Sequence, residues 1–149
     1  MFARAVVAFL LLPGTVAFLV PIYLVRSGPS DREFHVTALA PLTVGTFLLI
    51  WCVRDFYVSG KGTLAPWSPP RQLVVVGLYR WSRNPMYISV SLILLGWAAA
   101  YRSTTLLTYT GIVILAFYLR VVLVEEPWLA RTYGEGWRHY KEHVPRWFV

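Results

Sequence analysis

The sequence predicts an all-α integral membrane protein: about four transmembrane helices, a hairpin between the third and fourth, and a C-terminal amphipathic helix in the interface. Three observations lead there. Apolar residues make up 57% of the 149 and charged residues 14%, against about 25% charged in a soluble domain. The apolar residues fall in long runs, and a bilayer is crossed by about 20 residues of helix. The 14 Lys and Arg, against 7 Asp and Glu, lie between those runs and sort unevenly across the membrane.

The first span runs from Ala5 to Val25 after Arg4. It is longer than a signal-peptide core and is followed by no small-residue cleavage site, so it reads as a retained helix. Pro13 and Pro21 should kink it, which a membrane tolerates where neighbours take the freed carbonyls. The second span runs from Val36 to Val53, the third from Pro85 to Tyr101 and the fourth from Thr104 to Val124. Only Arg102 and Ser103 join the last two, which forces an antiparallel hairpin.

Four spans put both termini on one side. Arg4, Arg54, Lys61, Arg71, Arg80, Arg83, Arg120, Arg131, Arg138, Lys141 and Arg146 share it, while Arg26, Arg32 and Arg102 face the other. Cationic segments stay cytoplasmic, so both termini are expected inside. The chain reads as one membrane domain, residues 1–149, with cytoplasmic polar regions at 54–84 and 125–149.

The basic balance is spread between apolar runs, which fits anionic lipid headgroups rather than nucleic acid. A transporter would need charged residues midway along its spans, and these spans have none. Cys52 is the only cysteine, so no internal disulfide forms, and inside an apolar run it reads as a small buried hydrophobe. His139 and His143 have a metal-compatible spacing, but no cysteine or HExxH pattern accompanies them, and no metal is expected. There is no Ser-His-Asp set, no P-loop and no Rossmann glycine run.

Chemistry is therefore sought in the two polar regions. Gly60-Lys61-Gly62-Thr63 allows close backbone approach to a ligand, or is simply a flexible turn. Pro66, Pro69 and Pro70 keep the following chain from being helical. Asn84 is placed as an N-cap and Pro85 as a first helical residue. The free amides there, beside Arg83, outline an anion site, or else a helix cap with an arginine reaching to headgroups. Glu125 and Glu126 close the fourth span, where carboxylates oppose the helix dipole at about 0.3–1 kcal/mol each. The hairpin returns them to the face that carries Arg83, where they serve a ligand's hydroxyl or ammonium groups, or a salt bridge to Arg120, Arg83 or Arg131. Leu129, Tyr133, Trp137, Tyr140 and Val144 then share one helical face, broken if Gly134 or Gly136 interrupts it.

These blocks carry a resemblance. Gly60-Lys61-Gly62-Thr63, Leu73-Val74, Gly77-Leu78-Tyr79 and Arg83-Asn84-Pro85-Met86-Tyr87 resemble the isoprenylcysteine carboxyl methyltransferase and phospholipid methyltransferase superfamily. Glu125-Glu126, Leu129, Tyr133-Gly134-Glu135, Tyr140 and Val144-Pro145-Arg146-Trp147 are similar to its C-terminal signature. The resemblance covers residues 60–149 and implies a membrane enzyme that uses S-adenosylmethionine. It implies cofactor contacts at Gly60, Gly62, Arg83, Asn84, Pro85, Tyr87, Glu125 and Glu126, with Arg83 and Tyr87 as the expected catalytic residues. The implied acceptor is lipid-like and drawn from the bilayer, an isoprenylcysteine-type carboxylate. The alternatives are a phospholipid amine or a non-catalytic protein of the same fold. Asn84 stands where many eukaryotic members have His, and Gly136-Trp137 where an acidic residue and Tyr are common.

Overall fold

In the computed structural model, which describes residues 10–28, 33–59 and 72–148, the regular elements are all helices. The first, α1, is wound as a π-helix over Leu10–Leu19 and as an α-helix over Val20–Arg26. A short 3-10 turn, Val36–Ala38, leads into α2, Leu39–Ser59. Helices α3, Pro85–Ala100, and α4, Thr104–Arg120, form the hairpin. A π-helical stretch, Val121–Glu125, carries α4 without a break into α5, Glu126–Tyr133, and α6 follows at Glu135–His143.

Among the described residues two helical runs are long and apolar enough to cross a membrane, Val36–Ser59 and Thr104–Tyr133. This is fewer than the four expected. Pro85–Ala100 has 16 residues, about 24 Å at 1.5 Å per residue, short of the roughly 30 Å hydrocarbon layer. The apolar part of α1 covers Pro13–Arg26, and residues 5–9 of the expected first span lie outside the described residues. The reason α3 need not be long lies in its position. Pro85, Ser89, Val90, Ile93, Leu94, Gly96, Ala98 and Ala100 are all buried, because α1, α2 and α4 all pack against it. The two long helices show the opposite pattern, with Phe47, Ile50, Ile112 and Leu115 each more than half exposed. Contiguous apolar surface of this kind belongs in lipid.

The bundle is held by close backbone approach and by polar groups satisfied inside it. A Cβ on Gly45 would lie 2.7 Å from Ile93 Cγ1, and one on Gly96 would lie 2.8 Å from Leu42 Cγ. Only glycine lets α2 and α3 sit this near, as is common where small residues drive packing in lipid. Pro21 has no N–H, which frees carbonyls one turn earlier in α1. The Trp97 indole donates to the Ala17 carbonyl at 3.0 Å, and the Tyr109 hydroxyl to that of Val16 at 3.1 Å. Thr46, Ser89, Ser91 and Thr110 each return their hydroxyl to the carbonyl four residues back. No polar side chain among these is left bare in the apolar layer.

Three expected boundaries move. The second span continues past Val53 to Ser59, so residues 54–59 belong to helix and not to loop. The fourth continues past Val124 to Tyr133 through the π-helical stretch. Glu125 and Glu126 therefore do not end a helix, and no helix dipole opposes them there. The tail is two helices, because Gly134 takes φ +50°. At the hairpin turn, Ser103 caps α4 by accepting from the Leu106 amide at 3.3 Å.

Candidate functional site at the end of the hairpin

Gly77 adopts φ +55°, a left-handed conformation that turns the chain into a short 3-10 helix, Gly77–Arg80. Tyr79 is buried there against Cys52 and Val74. The next residues meet the C-terminal tail directly. The Arg83 amide donates to the Pro145 carbonyl at 2.9 Å. The Arg146 carbonyl accepts from Ser82 Oγ at 3.2 Å and from Asn84 Nδ2 at 3.0 Å. The Tyr140 hydroxyl donates to the Tyr79 carbonyl at 2.6 Å. Four hydrogen bonds thus clamp residues 140–146 onto residues 79–84.

Asn84 consequently does something other than expected. It stands at the N-cap position with Pro85 following, but its side chain makes no cap hydrogen bond. Its amide is engaged by the tail, and its own backbone N–H is taken by Ser82 Oγ at 3.1 Å.

Under this clamp lies a cluster of three charges. Arg83 Nη1 donates to Glu126 Oε1 at 2.9 Å. Arg146 grips the same carboxylate with both arms, Nε to Oε1 and Nη2 to Oε2, each at 2.8 Å. The Arg83 and Glu126 side chains are 8% and 13% exposed. The Trp137 ring lies 5.4 Å below the Arg83 guanidinium, a cation–π contact. Burial draws the Arg83 guanidinium below its ordinary range, and the charge on Glu126 pushes back. Arg83 Nε is buried with no acceptor.

A second cluster forms one residue earlier. Glu125 Oε1 accepts from the Tyr87 hydroxyl and from Arg120 Nε, the latter at 2.8 Å. A π-helical stretch ends at Glu125, and successive residues on a helix point roughly 100° apart, so the two carboxylates face different ways. Widened winding shifts the register of the following residues, and such bulges recur at functional sites. Adjacent glutamates here serve different arginines. Beyond Tyr87 a groove of about 260 Å³ opens between α3 and α4, lined by Ile88, Ser91, Ile114, Phe117 and Tyr118 and walled at the tail side by Trp147.

Of the expected site residues, Arg83, Asn84, Pro85, Tyr87, Glu125 and Glu126 all lie at this end of the hairpin. Gly60 and Gly62 lie outside the described residues. The sequence reading missed Arg146, Ser82, Tyr140 and Trp147 as parts of the site, since they act across more than sixty residues of chain or from the tail. It also missed Asp55. That carboxylate is 4% exposed, and its Oδ2 has no hydrogen-bond partner. The aromatic stripe of the tail is packing: Trp137, Tyr140 and Val144 bury against Leu73, Leu129 and Tyr133. His139 and His143 stack with ring centroids 4.3 Å apart, and His143 Nδ1 meets the His139 carbonyl. Among the described residues no three His, Cys, Asp or Glu gather as metal ligands.

The fold and this site define a helical membrane protein with a charged, tail-covered cluster at one end of its hairpin. The model of the phospholipid methyltransferase family matches residues 34–136, which contain α2, the hairpin and both glutamates. The chain belongs to that family of membrane methyltransferases. No curated protein and no solved structure matches it.

Proposed function

We propose that this protein transfers a methyl group from S-adenosylmethionine to a lipid-like acceptor at the cytoplasmic membrane face. The supporting observation is the meeting of two carboxylates, three arginines and an apolar groove at one end of the hairpin; both carboxylates, Arg83 and Arg120 lie within residues 34–136 that the family model matches, and Arg146 lies beyond them. The residues fit the cofactor's chemistry. Arg83 has a buried N–H with no acceptor, which is what a carboxylate oxygen would meet. Glu125 takes both of its bonds on Oε1, leaving Oε2 for a hydroxyl or ammonium donor. Glu126 and Arg146 complete the polar wall.

Bound, the cofactor supplies a methyl group on a positively charged sulfur. The protein's part is then to bind, orient and exclude water, which is where proximity effects arise. Arg83 holds the carboxylate end, with Asn84 and Pro85 setting the chain around it and Gly60 and Gly62 contributing backbone contacts. The glutamates hold the hydroxyl end. Tyr87 faces the acceptor, and Arg83 and Tyr87 are the proposed catalytic pair.

The acceptor enters from the bilayer with its chain still in lipid. An isoprenylcysteine-type carboxylate needs no base. A phospholipid amine must lose a proton, and in this reading the Tyr87–Glu125 pair takes it. The proposed topology has four membrane-embedded helices in one domain, residues 1–149, with both termini, the loop and the tail cytoplasmic. Purified protein in nanodiscs should bind S-adenosylmethionine stoichiometrically by calorimetry. It should also transfer labelled methyl to phosphatidylethanolamine or to an S-farnesylcysteine acid. Absence of cofactor binding would leave a non-catalytic member of the family.

A further inference from the structure

Trp147 stands one residue beyond the arginine that grips Glu126, yet it belongs to a different surface. It lines the groove between α3 and α4 together with Tyr87 and Ser91. The strap that carries it has little freedom. The Pro145 and Arg146 carbonyls are held by Arg83, Ser82 and Asn84, and the Arg146 guanidinium is bidentate on Glu126.

The groove has two unlike ends. Ile114 and Phe117 wall it from α4, whose outer face exposes Ile112 and Leu115 as lipid-facing surface, and Trp147 walls it from the tail. Its polar end is the Tyr87 hydroxyl bonded to Glu125, which is paired in turn with a half-exposed Arg120. An apolar groove beside lipid, with the Tyr87 hydroxyl in its lining and Arg120 paired behind it through Glu125, complements an amphiphile. It complements neither a soluble metabolite nor a peptide.

We propose that Trp147 is an acceptor-selecting residue: its indole is the wall against which one apolar chain of the lipid acceptor lies beside Tyr87, and Arg146 is the positioning residue that fixes that wall. The inference rests on the proposed methyl transfer for its substrate, but the groove's contents can be read without turnover. Because the strap joins the charge cluster to the groove, whatever rearranges Arg146 also moves Trp147. The tail thereby links the cofactor side to the acceptor side.

The test uses the full chain in nanodiscs containing dioleoyl phosphatidylethanolamine, with an S-farnesylcysteine acid as the second acceptor. Trp147→Ala removes the wall and Trp147→Phe keeps it. Ser91→Leu fills the groove from the other side, and serves if Trp147→Ala does not fold. Trp147→Ala is expected to raise acceptor KM about tenfold or more and to change the ratio of kcat/KM between the straight acyl and branched prenyl acceptors. The dissociation constant for S-adenosylmethionine should stay within about twofold, and Trp147→Phe should restore most of the loss. Ser91→Leu should also raise acceptor KM, with cofactor binding unchanged. Arg146→Lys should shift the acceptor ratio in the same direction as Trp147→Ala. An unchanged acceptor ratio in both Trp147→Ala and Ser91→Leu overturns the proposal, as does an equal loss of cofactor affinity. If the wild type methylates neither acceptor, the methyl-transfer reading fails separately. Native mass spectrometry then decides the groove. Phosphatidylethanolamine retained by wild type and Trp147→Phe but lost from Trp147→Ala supports it, and equal retention in all three overturns it.

Discussion

Glu126→Gln should be the most damaging single change among the site's acidic residues, and much worse than the same change at its neighbour. Glu126 accepts three charge-assisted bonds from two arginines. The substitution leaves the Arg83 and Arg146 guanidiniums facing each other with no anion between them. Breaking one partner out of a buried pair costs about 3–5 kcal/mol. Arg146 is about one-third exposed, and water there recovers part of the loss, so about 3 kcal/mol is expected. Glu125→Gln removes a pair with Arg120, whose side chain is 50% exposed, and an exposed pair contributes about 0–1 kcal/mol. The amide can still accept from Tyr87. The difference between the two variants is then about 2 kcal/mol, or roughly 4–8 °C in melting temperature for a chain of this size. Thermal unfolding of the two variants and wild type in one detergent measures it. Trypsin cleavage at Arg138 and Lys141 should also accelerate in Glu126→Gln, because the tail clamp leans on that carboxylate. Equal melting temperatures for the two variants would refute the reasoning, since it depends on the difference in burial.

Four further outcomes can be measured. In calorimetry, Glu125→Gln should weaken S-adenosylmethionine by roughly ten- to hundred-fold, the contribution of one charge-assisted hydrogen bond of about 1.5–3 kcal/mol, and unchanged affinity removes that residue from the cofactor site. Wild type should prefer S-adenosylmethionine strongly over its decarboxylated analogue, Arg83→Ala should lose most of that preference, and Arg83→Lys should fall between because it lacks the planar fork. Equal weakening of both ligands by Arg83→Ala would mean that Arg83 acts on the fold alone. Gly77→Ala should destabilise the protein by about 2 kcal/mol or more, because the residue has φ +55° and the new methyl would lie 2.0 Å from Asp55 Oδ2; Asp55→Ser in the same chain should return part of the loss, and no return would place the cost in the backbone alone. Reporters fused after Val149 and inserted at Lys61 should both be cytoplasmic, and a signal from the opposite side at either overturns the proposed topology.

Part of the candidate site was legible in the chain because local chemistry marks it, while Ser82, Tyr140, Arg146 and Trp147 were not. Arg83-Asn84-Pro85 announces a helix start, and Glu125-Glu126 is conspicuous beside a long apolar run. The two-residue link at Arg102 and Ser103 requires a hairpin, and a hairpin returns the glutamates to the arginine. The membrane class itself follows from composition, since hydrophobic burial in water needs polar surface that this chain lacks. Helix length was less legible. Apolar runs end where hydropathy falls, but helices end where hydrogen bonding fails. Helix α2 runs on through Arg54 and Asp55, and α4 runs on through a π-helical stretch into α5.

What tertiary structure alone decided is the pairing. An acidic pair beside several arginines has many possible partners, and sequence distance does not choose among them. The packing sends neighbouring carboxylates to different partners, Glu125 to Arg120 and Tyr87, and Glu126 to Arg83 and Arg146. Asn84 likewise has the composition of a cap and serves instead to hold the Arg146 carbonyl sixty-two residues away. Hydropathy and helix propensity are sums over neighbours along the chain, so the sequence carries them directly. Which donor meets which acceptor depends on the rotation and depth of packed helices, and that exists only once the bundle has closed.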